Sequence, residues 1–265
     1  MESEIFTWEG LGRDHMLSAI VITLNEETMI GDCLLSVKFA DEIIVVDSGN
    51  TDNTNRIAKI NGAKIVRSIP GGGYSQYRND GLKAAKGDWI LYVDADERVT
   101  PLLKQEIAQT ISSISKYSAY EIPRRNFYLG HEMFFGGWGN DKVIRLFKKD
   151  KLHQYTNTLH EQPEVDGEIG LLKNSLIHFS HRDLESMLDK TLLFTGFESE
   201  LRLKANHPPV VSWRLIRVMA TEFWHRFISL QAWRDGTEGI IDGMFQAFNM
   251  FIIYARLWEA QITKR

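Results

Sequence analysis

The chain has 265 residues, 43% of them hydrophobic and 25% charged, an ordinary globular composition that fits one large domain or a domain with an appendage. Its formal net charge of −4 argues against a general nucleic-acid binder, which needs a basic face. The single cysteine, Cys33, excludes an internal disulfide. Its neighbours Leu34, Leu35 and Val37 make it a small core residue rather than a nucleophile. The stretch MESEIFTWEGLGRDH is acidic and has no apolar core of signal-peptide length. No window reaches the ~20 uninterrupted apolar residues of a membrane span. The lone cysteine gives the reading of an intracellular protein, or at least one that needs no oxidising compartment.

LSAIVITL (17–24) is continuously apolar and predicts a strand buried on both faces. Asn25 is placed to cap a helix over about 26–39. EIIVVD (42–47) predicts a second buried strand, followed by the polar turn SGNTDNTN and a short helix through Ile60 that Gly62 ends. AKIVR (63–67) predicts a third strand. GGG (71–73) is a flexible loop before a helix over 74–86, ended by Gly87. WILYVD (89–94) predicts a fourth buried strand that runs straight into Asp94, Asp96 and Glu97. Thr100 and Pro101 open a helix to about Ser115. Beyond Ser118 the alternation stops: YEIPRRNFYLG, KVIRLFKK and LLKNSLIHFS read as short strands. From Arg182 the pattern is helical to the end, with aromatic residues crowded between Trp213 and Trp258.

Alternating strands and helices predict a parallel sheet with crossover helices. Ligands of such sheets bind beyond the carboxyl ends of the strands. Thr23, Asn25 and Glu26, then Asp47, Ser48 and Asn50, then Asp94 and Asp96 should converge there. Carboxylates so close together repel and raise one another's pKa. Either a divalent cation sits among them, since hard cations take carboxylate oxygens, or the segment is simply an acidic loop.

IVITLNEE, EIIVVDSGNTDNT and YRNDGLKAAKGDWILYVDADE, in this order, resemble the nucleotide-sugar domain of family 2 glycosyltransferases. The resemblance covers roughly residues 17–180. The later pieces GNDKVIRLFKK, LHEQ, LIHFSH and DGMFQAFNMFIIYARLWE are similar to the lipopolysaccharide-core glucosyltransferase-like subgroup. It implies an α/β fold of the GT-A type: a Rossmann-like, mostly parallel sheet flanked by helices, with a catalytic domain over 1–180 and a C-terminal helical module over 181–265. Leu24 departs from the aromatic residue many relatives carry, which weakens stacking on a base. Asn50 replaces a commoner serine with another short polar side chain.

The resemblance implies a probe-able set of roles. Transfer expels a nucleoside phosphate, whose charge a carboxylate-held metal neutralises. Asp96 is the implied direct ligand, and Asp94 holds ribose hydroxyls or a metal-bound water. Glu97 orients such a water or meets the sugar, and Mg²⁺ or Mn²⁺ suits this oxygen-rich set. Asp47 is the implied acceptor of a hydrogen bond from the base, the plain alternative being a turn cap. Thr23, Asn25 and Glu26 border the same nucleotide-sugar site. Arg78 resembles the family arginine that reaches the nucleotide, against a surface arginine. An inverting enzyme also needs a base to take the acceptor proton. Glu161, with His160 beside it to position a phosphate, is slightly preferred over Asp141. His178 is a further candidate metal ligand, as an alternative to a structural histidine. Arg124, Arg125 and Arg145 could hold a phosphate or an anionic acceptor.

The implied partners are a nucleotide-diphosphate sugar and a glycan or lipid-linked acceptor, with no nucleic acid. The late helices mix Trp and Phe with Arg214, Arg217, Arg226 and Arg234. That mixture suits a membrane surface or a helical face packed on a second subunit, as in a homodimer. The protein is therefore placed in the cytoplasm or peripherally at the inner face of the cytoplasmic membrane. A sugar nucleotidyltransferase would need a glycine-rich loop directly after the first strand, where TLNEE stands instead. An oxidoreductase would need G-x-G-x-x-G there. A non-catalytic nucleotide-sugar-binding protein is the remaining alternative.

Overall fold

The computed structural model describes residues 15–156 and 161–263. Its first strands are β1 (Leu17–Thr23), β2 (Glu42–Asp47), β3 (Lys64–Arg67) and β4 (Trp89–Asp94). β1 lies between β2 and β4, parallel to both, and is buried along its whole length. That position explains its unbroken apolar run, because both faces of a central parallel strand are covered. Successive side chains take opposite faces. Leu17, Ala19 and Val21 pack with Val45, Leu91 and Val93 on one side; Ile20 and Ile22 pack with Ile44, Val46 and Tyr92 on the other.

The covering helices are α1 (Ile30–Ser36), α2 (Thr54–Ile60), α3 (Tyr74–Ala84) and α4 (Pro101–Ser112). Thr100 caps α4 by accepting from the Leu103 amide at 3.2 Å. Gly62 follows α2 at φ +81, the left-handed position that ends helices. α1 is shorter than the pattern suggests, and Asn25 does not cap it. Asn25 has φ 56, and its side-chain oxygen accepts from the Thr51 amide at 2.8 Å, so it ties two loops together instead. Cys33 is fully buried in the core, and burial pushes its thiol up.

The later strands are β5 (Glu97–Val99), β6 (Tyr117–Tyr128), β7 (His131–Met133), β8 (Lys142–Lys148), β9 (Leu152–Thr156), β10 (Gln162–Val165), β11 (Glu168–Leu171) and β12 (Leu176–His181). β8 runs antiparallel to β4 and β6 antiparallel to β8, giving a mixed sheet of order β3-β2-β1-β4-β8-β6. LLKNSLIHFS is divided between β11, which pairs with β6, and β12, which pairs with β5.

The chain forms two compact units. The first holds the described residues up to Arg124 together with Lys142–His178. The second holds Arg125–Asp141 and the described residues from Phe179 on. It contains α5 (Leu184–Lys204), α6 (Ser212–Trp224) and α7 (Gly236–Thr263). Within it Val218 packs on Ile253, Tyr254 and Leu257. Asp235 accepts from the Phe134 and Phe135 amides at 3.0 and 2.7 Å, and Trp138 Nε1 donates to buried Asp242 at 2.9 Å. Among the described residues no helix is long and apolar enough to cross a membrane.

Candidate active site

Register brings the polar ends of three parallel strands level. Thr23 stands beside Asp47, and Ile22 beside Asp94. The loops after β1 and β2 are then stitched together. Asn50 accepts from the Asn25 amide at 2.7 Å and donates to Thr23 Oγ1 at 2.8 Å and to Asn55 at 3.1 Å. The Glu26 amide donates to Thr54 Oγ1 at 2.8 Å. Asp47 accepts from the amides of Gly49 and Asn50 at 3.0 and 2.7 Å, and from Asn55 Nδ2 at 2.8 Å. Burial pushes the Asp47 carboxyl up, but these hydrogen bonds, the Asn50 amide first, outweigh it and hold the group below its ordinary value. Thr23 and Asn50 thus set the shape of the loops, while Asp47 is an ionised carboxylate fixed at the end of β2.

The acids after β4 separate into different environments. Asp94 meets Arg78 Nη2 at 3.3 Å through Oδ1 and Arg145 Nη2 through Oδ2. Burial pushes its carboxyl up, yet Arg145 and then Arg78 pull harder and hold it well below the carboxylate range. Glu97 is fully buried. Its Oε2 accepts the Asp94 amide at 2.9 Å, and its Oε1 accepts from Arg124 and Arg145, each at 3.2 Å. A buried carboxylate needs such partners, so Glu97 anchors the site from behind. Asp96 is directed elsewhere. Pairing of β5 with β12 sets His178 opposite Glu97 and brings His178 Nε2 to 3.7 Å from Asp96 Oδ2.

Arg78 is buried, unlike a surface arginine. α3 carries it between the rings of Tyr92 and Tyr155, 5.4 and 5.3 Å from their centroids. Its Nε and Nη2 donate to Glu161 Oε1 at 3.2 and 2.9 Å. Glu161 therefore joins Arg78 and Asp94 in one group. Asp141 lies in the second unit, where it accepts from Asn126 Nδ2 at 3.0 Å. Arg125 pairs with Glu132 at 2.6 Å in that unit. His160 falls outside the described residues. Tyr155 and Lys142 also line the cavity beside Arg78 and Arg145. Nothing in LHQYT marks the tyrosine in advance, and Lys142 was legible only as the first residue of a strand.

Among the described residues, no three His, Cys, Asp or Glu side chains gather as a complete metal cage. Asp96 offers the carboxylate oxygen that a hard cation takes alongside phosphate and water, while the imidazole of His178 beside it suits a softer divalent ion better than Mg²⁺.

A model of the family described as "Glycosyl transferase family 2" matches residues 18–162. An uncharacterized glycosyltransferase of Rickettsia typhi is 30% identical over 94% of this chain and 89% of its own length. The lipopolysaccharide core biosynthesis glycosyltransferase LpsC of Rhizobium meliloti is 24% identical over 94% of each chain. Among solved structures, glucosyl-3-phosphoglycerate synthase of Mycobacterium tuberculosis, in complex with Mn²⁺, UDP and glucosyl-3-phosphoglycerate, shares the fold. The TM-score is 0.50 with 18% identity, covering 71% of this chain and 81% of that one. With the family matched over more than half its length and a sheet edge that gathers its motifs, this chain is a glycosyltransferase of family 2.

Proposed function

We propose that the protein moves a hexosyl group, with inversion, from a nucleotide-diphosphate sugar to a glycan or lipid-linked acceptor in cell-envelope polysaccharide synthesis. One observation carries this reading: Asp47 and Asp94 end the two strands that flank β1 at the carboxyl edge of the parallel sheet, Asp47 held by loop amides and Asp94 by Arg78. The likeness to a lipopolysaccharide core transferase supports the envelope assignment.

In this reading residues 1–180 form the catalytic domain and 181–265 a helical module. Asp47, with the loops that Thr23, Asn25 and Glu26 shape, takes the base end of the donor. Asp94 orients the ribose while Arg145 and Arg78 keep it ionised. Asp96 and His178 would hold Mg²⁺ or Mn²⁺, and the ion would supply positive charge against the departing diphosphate; a neighbour in fold was solved with Mn²⁺ and UDP. Arg78, beside both Asp94 and Glu161, adds positive charge shared between that diphosphate and the acceptor. Glu161 takes the acceptor hydroxyl's proton, favoured over Asp141 because it sits beside Arg78 and Asp94. The protein works in the cytoplasm, with exposed aromatic residues of α6 against the inner membrane face.

The test is a thermal-shift panel of nucleotide sugars with Mg²⁺ or Mn²⁺, since only a donor that binds the folded state raises the midpoint. The active donor is then followed for transfer to envelope glycans. A panel in which no nucleotide sugar shifts the protein, with either metal, overturns the reading.

A further inference from the structure

We propose that the cavity bordered by Arg124 at the end of the β6 segment in the first unit, Lys142 and Arg145 on β8, and Arg78 is a second anion site, which takes a phosphate or carboxylate carried by the acceptor. The inference rests on the transferase reading above and adds the chemical class of the acceptor to it. The cavity holds about 390 Å³, within the range of small-molecule sites. Arg78, Arg124, Lys142 and Arg145 line it, against the carboxylates Asp94 and Glu161. Counting Glu97 behind them, four cations face three carboxylates, which leaves one positive charge over.

Hydrogen bonding points the same way. Arg78 Nη1, Arg145 Nε and the Tyr155 hydroxyl are buried without a hydrogen-bond partner. Buried donors are rarely left so, and each costs free energy. All three belong to residues that line one positive cavity, and a ligand rich in acceptor oxygens that drew these side chains toward it would partner them. Glu161 gives a single oxygen to both Arg78 bonds, so a protein carboxylate already stands on the cation an acceptor anion would use. An arriving phosphate would take Arg78 over and release Glu161, which is the group proposed to remove the acceptor's proton.

The donor's own diphosphate is a different source of the same chemistry. Strand order separates the two: Lys142 and Arg124 belong to β8 and β6, beyond β4 on the side away from β1 and β2, whose loops hold Asp47.

The experiment titrates the full chain with a hexose 6-phosphate, inorganic phosphate and the neutral hexose, at fixed ionic strength, reading the thermal midpoint. UDP with Mn²⁺ is titrated in parallel. The phosphates should raise the midpoint saturably and the neutral hexose should not. Lys142→Gln, at an exposed position, and Arg124→Gln should each weaken the phosphate response about tenfold, the worth of one charge-assisted hydrogen bond. Lys142→Gln should leave the UDP response intact, and Asp96→Asn should do the reverse. No phosphate response, or one that both cavity variants leave unchanged, overturns the proposal. So does a response that saturating UDP with Mn²⁺ abolishes, which would give the cavity to the donor. Should hexose phosphate bind as described while no nucleotide does, the anion site stands and the donor reading falls.

Discussion

A carboxylate that is to accept a proton cannot stay in an ion pair with an arginine. Glu161 shares Arg78 with Asp94, so its freedom depends on what else Arg78 can hold. Glu161→Gln keeps the size and the acceptor oxygen for Arg78 but removes the base. Turnover should fall roughly 10²–10⁴-fold with donor affinity preserved, measured by single-turnover transfer beside a donor titration. Asp141→Asn is the matching variant, and a dead Asp141→Asn with an active Glu161→Gln reverses the assignment. Asp94 gives a prediction on pH. Arg145 and Arg78 depress its folded pKa, so its stabilising contribution is full above the unfolded value of about 3.9. That contribution is lost as pH falls through the lower folded value. Asp94→Asn should therefore be less stable than the parent at pH 7, and the gap should narrow below about pH 4. Urea unfolding at pH 7 and pH 3 measures this; a gap that widens in acid would show that the arginines do not hold Asp94 ionised.

At the scale of elements, α3 is the piece that couples packing to the site, because it carries Arg78 and lies against β1. A Cβ at Gly81 would come within 2.5 Å of Ile20 Cγ2, closer than real Cβ atoms approach. Gly81→Ala should cost about 1–3 kcal/mol by overpacking and weaken nucleotide binding as α3 shifts. Gly31 on α1 is the control: a Cβ there meets Ile57 at an ordinary 3.8 Å. Gly31→Ala should stabilise by roughly 0.5–1 kcal/mol, so equal effects from the two changes in urea unfolding would refute the packing account. The same elements show what the chain makes legible. A strand buried on both faces announces itself, so β1, β2 and β4 and the acids at their ends could be read directly. Partners could not. Periodicity predicts strands in KVIRLFKK and LIHFSH but not that β8 runs antiparallel to β4, or that β12 pairs with β5 and brings His178 to Asp96. Burial of Glu97 and Arg78 was illegible for the same reason: each is paid for by distant partners that only the folded sheet supplies. Asn25 looked like a cap because helix caps and left-handed loop positions favour the same residue.

For the molecule as a whole, the remaining question is what meets the late helices. On α6, Trp213, Ile216 and Trp224 are 59%, 72% and 64% exposed, and their spacing sets them along one side of the helix. Arginine is less available there than the composition suggests. Arg226 pairs with Glu222 and donates to the Gly136 carbonyl, and Arg214 leans on the Pro208 carbonyl. Arg217, stacked over Trp213 at 5.4 Å, remains beside the aromatic face. Attachment to a membrane surface should then be mainly apolar, with a small electrostatic part. Sedimentation with anionic liposomes should capture the protein, and salt should weaken capture only slightly, because apolar insertion is not screened. Arg217→Gln should match the effect of salt, whereas Ile216→Asp should release the protein at any ionic strength. If the same face meets a second copy of the chain instead, the protein should run as a stable dimer without detergent and ignore liposomes. Ile216→Asp would then yield monomers. A dimer that leaves liposomes untouched would remove the membrane from the account and leave the transferase chemistry as it stands, since Asp47, Asp94 and Arg78 belong to the first unit alone.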